Sequence, residues 1–216
     1  MREQTRFFAI LGLAAVTGTA LAGNPTLILD DFDSEPNDDA GGPRVVSLME
    51  IANPFGQIGN FEVDTMLDIG SDEGAAVFNS GIGVQQQGDI LWDNDGAGLS
   101  LDAVALGLIG FELDFALIDL DFSYEIALTD GAGDSIGASG TWVAGGERTE
   151  SITLGDFTES ALFDATDVDA VSISFNIEGD TASLDFILTE FRAVVPTPGS
   201  FLMLGLGGLL CVRRRR

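Results

Sequence analysis

Phe111-Glu112-Leu113-Asp114-Phe115-Ala116-Leu117 carries its apolar residues at odd positions, and Leu120-Asp121-Phe122-Ser123-Tyr124-Glu125-Ile126-Ala127-Leu128 carries them at even ones. A period of two is the mark of a strand with one buried and one wetted face. A one-residue slip moves every side chain to the other face, so the change of phase demands a bulge or tight turn near Ile118-Asp119. The same alternation returns in Val171-Ser172-Ile173-Ser174-Phe175-Asn176-Ile177, which ends at the turn Glu178-Gly179-Asp180, and Leu184-Asp185-Phe186-Ile187-Leu188 then starts a closing strand that runs to about Val194.

Further strands are predicted at Thr26 to Phe32, Arg44 to Ile51, Phe61 to Ile69, Ala75 to Asn79, Asp89 to Trp92, Leu99 to Leu108, Ile136 to Val143 and Ser151 to Leu154. Between them stand the turn signals Asp39-Ala40-Gly41-Gly42-Pro43, Asp95-Gly96, Asp130-Gly131-Ala132-Gly133 and Gly145-Gly146. With no convincing amphipathic helix, about ten to twelve short strands imply an all-β, two-sheet antiparallel β-sandwich of the jelly-roll type.

The chain of 216 residues has one Cys, one Tyr, no His and no Lys, although 45% of it is hydrophobic. Length and hydrophobic content fit one folded domain. The missing residue types exclude His-based triads, Schiff-base lysines, His or Cys zinc sites and an intrachain disulfide framework. Residues 23–196 hold Arg44, Arg148 and Arg192 against 34 acids, since Glu3 is the only other acid of the 35, giving a net charge of −31. Such a surface repels nucleic acid and anionic membranes and gains from screening.

The two ends read as addresses. Arg2 and Arg6, an apolar run from Phe7 to Val16 and the small residues Ala20-Leu21-Ala22 have the order of a secretory signal peptide, residues 1–22, cleaved after Ala22. Residues 23–194 then form the acidic sandwich, and residues 195–216 a second signal. Its Val195-Pro196-Thr197-Pro198 precedes an apolar run from Phe201 to Val212 and the cluster Arg213, Arg214, Arg215 and Arg216. This order resembles the PEP-CTERM class of bacterial exosortase substrates, with Thr197 where that family usually has Glu. The resemblance implies an exosortase-like sorting protease as partner and a cell-surface or extracellular location. It also implies transient membrane contact through the C-terminal helix, its arginines on the cytoplasmic side.

More loosely, Asp30-Asp31-Phe32-Asp33, Gly42-Pro43-Arg44, Leu91-Trp92-Asp93 and Leu184-Asp185-Phe186 resemble motifs of ectodomains that accompany such tails, similar to jelly-roll carbohydrate-binding modules. That likeness implies the fold and assigns no ligand residues.

Three kinds of site are open. Asp93-Asn94-Asp95-Gly96-Ala97-Gly98, with Asp102 further on, offers alternate oxygens beside glycine as calcium loops do, without completing the EF-hand pattern. Asp31 and Asp185 would share a cation if the terminal strands lie side by side; a solvated acidic surface or sheet edge accounts for the same residues. Trp142, among Gly140, Thr141 and Gly145, is a candidate platform for a sugar ring, as Trp92 is to a lesser degree, unless both are core. A carboxylate-pair hydrolase would draw on Glu112, Glu125 and Glu178. The residues favour a non-enzymatic exported protein that contacts extracellular polysaccharide or calcium. A hydrolase and a self-assembling adhesive subunit are the alternatives.

Overall fold

The computed structural model describes residues 26–33, 40–63, 74–158 and 160–195. In chain order the strands are β1 (Thr26–Asp30), β2 (Arg44–Ala52), β3 (Asn60–Glu62), β4 (Ala76–Asn79), β5 (Gln85–Trp92), β6 (Gly110–Ile118), β7 (Phe122–Asp130), β8 (Ser135–Trp142), β9 (Arg148–Thr153), β10 (Val168–Phe175) and β11 (Asp185–Val194). They form two antiparallel sheets. One has the order β3-β4-β11-β6-β9 with β1 added beside β11, and the other β2-β5-β10-β7-β8. The predicted two-sheet sandwich is what the chain forms.

The phase change between β6 and β7 has two causes. In β6, Phe115 pairs with Leu188 and Leu117 with Ile187, so Ala116 is the extra residue of a bulge. Leu117 therefore turns outward at 40% exposure and Ile118 inward at 1%. After Ile118 the chain leaves the first sheet and enters the second as β7. The irregularity thus sits two residues before Ile118-Asp119, and the turn joins two layers.

One predicted strand is replaced. Between Leu99 and Leu108 the chain makes one helical turn, α1 (Ala103–Leu106). Asp102 accepts a hydrogen bond from the Ala105 amide, and Gly107 ends the turn in the left-handed conformation at φ 66°. A short Ala-Val-Ala-Leu run bracketed by these caps outweighs its apolar character. Of the strand expected over Phe61 to Ile69, β3 takes the first part and residues 64–70 lie outside the described residues.

The C-terminal expectation is corrected. Among the described residues no helix is long and apolar enough to cross a membrane, and the predicted sorting helix falls in residues 196–216, outside them. Pro196, Thr197, Pro198 and the arginine cluster lie there too. So do residues 1–22, with Ala20 and Ala22. Val195 follows β11 directly.

Aromatic rings fill the space between the sheets. Phe186 of β11 stacks on Phe78 and Phe122 at centroid distances of 4.9 and 5.2 Å. Gly88 of β5 faces this layer: a Cβ there would come within 2.8 Å of the Phe61 ring and 2.9 Å of the Phe78 ring. Trp142 is buried, stacked on Tyr124 at 3.9 Å and packed beside Phe115 and Phe122. Trp92, 1% exposed, packs on Phe191. Both tryptophans belong to the core, and neither is a sugar platform. Large apolar area is what a sandwich of this size needs between its layers.

The short motifs at Asp30, Arg44 and Trp92 converge on one buried clasp between the sheets. The Asp30 carboxylate, at the end of β1, accepts from Arg44 Nη1 at 2.7 Å, from Trp92 Nε1 at 2.7 Å and from the Phe32 amide at 2.8 Å. Arg44 also donates to the Asp33 carbonyl and lies 5.6 Å from the Phe32 ring centre. Burial pushes the Asp30 carboxyl up, and Arg44, the Trp92 indole and the Phe32 amide pull it back only in part. The close approach requires Gly41, where a Cβ would stand 2.5 Å from the Leu29 carbonyl oxygen and 2.9 Å from the Trp92 ring.

Candidate functional site

Alternation sends Glu112 and Asp114 of β6 to the outer side of the first sheet, together with Glu190 and Arg192 of β11. Register then sets them side by side: Glu190 opposite Asp114 opposite Thr149, and Ile28 opposite Arg192 opposite Glu112. Arg192 gathers the carboxylates. Its Nε donates to Glu112 at 2.9 Å, and its Nη1 donates to both Asp114 and, at 2.8 Å, Glu190. Partial burial opposes this guanidinium's charge, but the bonds to Asp114, Glu190 and Glu112 outweigh it and hold its pKa above the ordinary value. Thr149 Oγ1 donates to Asp114, and Thr189 Oγ1 donates to the Asp114 carbonyl.

Over these strands lies a cleft of about 690 Å³. Asp114, Glu147, Glu190 and Asp31 supply carboxylates, Thr149 and Thr189 hydroxyls, Arg148 a guanidinium, and Ile28 and Ala116 apolar surface. Arg148 is held by Glu150 and by the Val143 carbonyl at 2.7 Å. Ligand clefts commonly have this size, with a few fixed polar groups on a rigid scaffold. The carboxylates accept hydrogen bonds from hydroxyl groups, and their excess over arginines repels anions.

Of the residues singled out in the sequence, Asp31 lies in this cleft and Asp185 does not. The terminal strands are neighbours as expected, but Asp30 pairs with Phe191, which leaves Asp185 toward the far end of β11. There the Asp185 carboxylate accepts from the Ser80 amide, and its pKa is raised by burial and by Asp119. Asp102 is spent capping α1, while Asp93 and Asp95 stay in the turn after β5, where Asn94, Asp95, Gly96 and Gly98 have positive φ. Among the described residues no group of three or more His, Cys, Asp or Glu is placed to hold a metal ion.

The hydrolase constellation is not assembled either. Glu112 lies on the first sheet and Glu125 in β7 of the second, while Glu178 sits in the turn after β10. Asp114 and Glu190 are bound to the same nitrogen of Arg192 and do not oppose each other across a gap. Tyr124, on the inner side of its strand, stacks on Trp142, and burial raises its pKa.

No family model matches the chain, and no curated protein matches it. The resemblance of the C-terminal end to exosortase substrates is therefore corrected, and with it the sorting protease as partner and the transient anchoring in a membrane. Among solved structures, an exo-β-agarase superposes with a TM-score of 0.50 at 11% identity over 79% of this chain and 25% of its own. The agarase AgWH50C gives 0.50 at 12% identity over 80% and 25%. A family 11 carbohydrate-binding module from Clostridium thermocellum, in complex with a β-1,3-1,4-mixed-linked tetrasaccharide, gives 0.48 at 10% identity over 79% of this chain and 96% of its own. At such identities the likeness is one of fold, and the chain spans about a quarter of each agarase.

Proposed function

We propose that this sandwich is a non-enzymatic module that holds a neutral polysaccharide in the cleft over β11, β6 and β9. The observation that carries the reading is the fixed array of carboxylates and threonine hydroxyls around Arg192, set beside Ile28 and Ala116. Carboxylates locked in place by an arginine accept sugar hydroxyls without paying to be ordered first. The apolar side chains offer contact to the C–H faces of the rings.

Affinity electrophoresis in gels containing neutral β-glucan, agarose or anionic alginate tests this. Retardation by a neutral polymer and none by alginate is expected, without release of sugar. Asp114→Ala with Glu190→Ala should weaken binding at least about tenfold, each charge-assisted hydrogen bond being worth roughly 1.5–3 kcal/mol. Glu125→Gln, on the other sheet, should leave it unchanged. No retardation by any neutral polymer, or retardation indifferent to the cleft variant, overturns the reading.

Assembly with copies of itself is favoured by a separate observation. β2 is an edge strand whose Val45, Met49 and Ile51 are 49%, 49% and 42% exposed. An apolar edge invites strand addition, and light scattering against protein concentration reads it directly.

A further inference from the structure

At one end of the sandwich the sheets are bridged by the segment from Leu154 to Asp167, which runs from β9 to β10. Its bonds fix it as a strap. The Asp156 carboxylate accepts from the Thr153 amide at 2.8 Å, and the Thr158 amide donates to the Gly137 carbonyl at 2.9 Å in β8. The Asp164 amide donates to Asp130 at 2.8 Å, and the Ala103 amide of α1 donates to the Ala165 carbonyl at 3.0 Å. Tied on both sides, the strap stands off the layer beneath. A pocket of about 460 Å³ lies under it.

The floor is the open end of the core: Leu108 and Leu154 from the first sheet's side, Leu128 and Ile136 from the second. Phe157 and Phe163 flank the space, and Ala103, Ala161 and Ala165 stand where larger side chains would close it. Among the described residues no charged one lines it, in a chain with 35 acids. Two of the strap's acids are turned to other work: Asp156 caps Thr153, and Asp164 accepts from the Thr166 amide and hydroxyl. The two polar residues of the lining, Thr158 and Ser160, have their hydroxyls bonded to the Gly137 backbone and to the Leu162 amide.

We propose that this pocket binds an uncharged apolar small molecule. The lining residues, Leu, Ile, Phe and Ala with two bonded hydroxyls, offer no charged partner, and an unpaired charge taken from water into such a place is heavily penalised. Water gains little there, since a buried water needs two to four polar partners, whereas an apolar ligand recovers the contacts that an empty apolar cavity forgoes. At ~30 Å³ per water-sized volume, the space suits a ligand on the order of fifteen non-hydrogen atoms. This site lies at the end of the sandwich, and its occupation does not depend on the polysaccharide reading of the cleft.

The test is a fluorescence titration of the full chain with the neutral dye N-phenyl-1-naphthylamine. Saturation at one dye per chain and displacement by decan-1-ol are expected. Ala161→Trp, on the exposed strap, and Ala103→Leu, at the floor, fill the space and should each weaken the dye at least tenfold. Glu190→Gln in the cleft should not. Should the filling variants fold poorly, methyl NMR of the unaltered alanine-labelled chain decides, with shifts at Ala103, Ala161 and Ala165 expected on adding decan-1-ol. A signal that does not saturate, that survives both variants in folded protein, or that moves other methyls and leaves these three in place, overturns the proposal.

Discussion

Replacing Arg44 with Met would strip the buried clasp of its cation and leave Asp30, 1% exposed, with only the Trp92 indole and the Phe32 amide of the bonds described. Breaking a buried pair by removing one partner costs about 3–5 kcal/mol. For a domain of this size each kcal/mol moves the melting temperature by roughly 2–4 °C, so a fall of about 6–20 °C is expected. Urea unfolding followed by tryptophan fluorescence measures it, Trp92 itself being a ligand of the carboxylate. Asp30→Asn combined with Arg44→Met should recover part of the loss, because the amide oxygen still accepts from Trp92 without a charge to bury. The pH dependence has a definite sign. Asp30 has a folded pKa above its unfolded 3.8, and losing Arg44 raises it further, so the folded variant binds the extra proton in the window above 3.8. The deficit relative to the unaltered protein should shrink as pH falls through that window. A loss below about 1 kcal/mol, or a deficit independent of pH, would refute the argument.

Trp142→Ala should cost about 3–5 kcal/mol, the usual loss for a large aromatic taken from a core, while leaving polysaccharide retardation intact where the variant is folded. Asp130, Asp156 and Asp164 are held below 3.8, Asp130 chiefly by the Asp164 amide and the other two by Thr153 and Thr166. Such groups add stability above the unfolded pKa that is lost as pH falls through the folded one, so Asp130→Asn should flatten the acid limb of a stability profile below pH 3.8. Raising NaCl to about 0.5 M should raise the melting temperature by screening. Calcium and magnesium at equal millimolar concentration should act alike, and a rise with calcium alone would show a site the carboxylates do not reveal.

Alternation made most strands legible because the apolar residues of β7 and β10 report their own face, whereas in β11 the buried positions change phase between Leu188 and Phe191. Local capping was harder to weigh: Asp102 and Gly107 turn an apolar run into a helical turn, and the run alone reads as strand. Trp142 was ambiguous for a related reason, since neighbouring glycines suggest a loop, although Gly140 sits in β8 opposite Tyr124 of β7 and Gly145 bridges to Ile118. The cleft was hidden more deeply. Glu112, Asp114, Glu190 and Arg192 each read as wetted positions of separate strands, and only the pairing of β11 with β6 brings them around one guanidinium. The one usable signal was scarcity: of three arginines in residues 23–196, Arg192 stands two positions after Glu190 on one strand face. Arg44 gave the same hint, and it closes the clasp with Asp30 and Trp92.

The place of β11 has a consequence for synthesis. This last strand lies inside the first sheet, bonded to β4, β6 and β1, and it joins Thr26 to Val194. Until it leaves the ribosome, β1 has no strand partner among the described residues and β4 and β6 stand apart, so the sheet cannot close by stages. Contacts this distant in sequence make for slow folding, and unfinished chains with exposed strand edges are prone to stick together. The dense negative charge that strains the finished domain would, over that interval, keep nascent copies out of one another's reach.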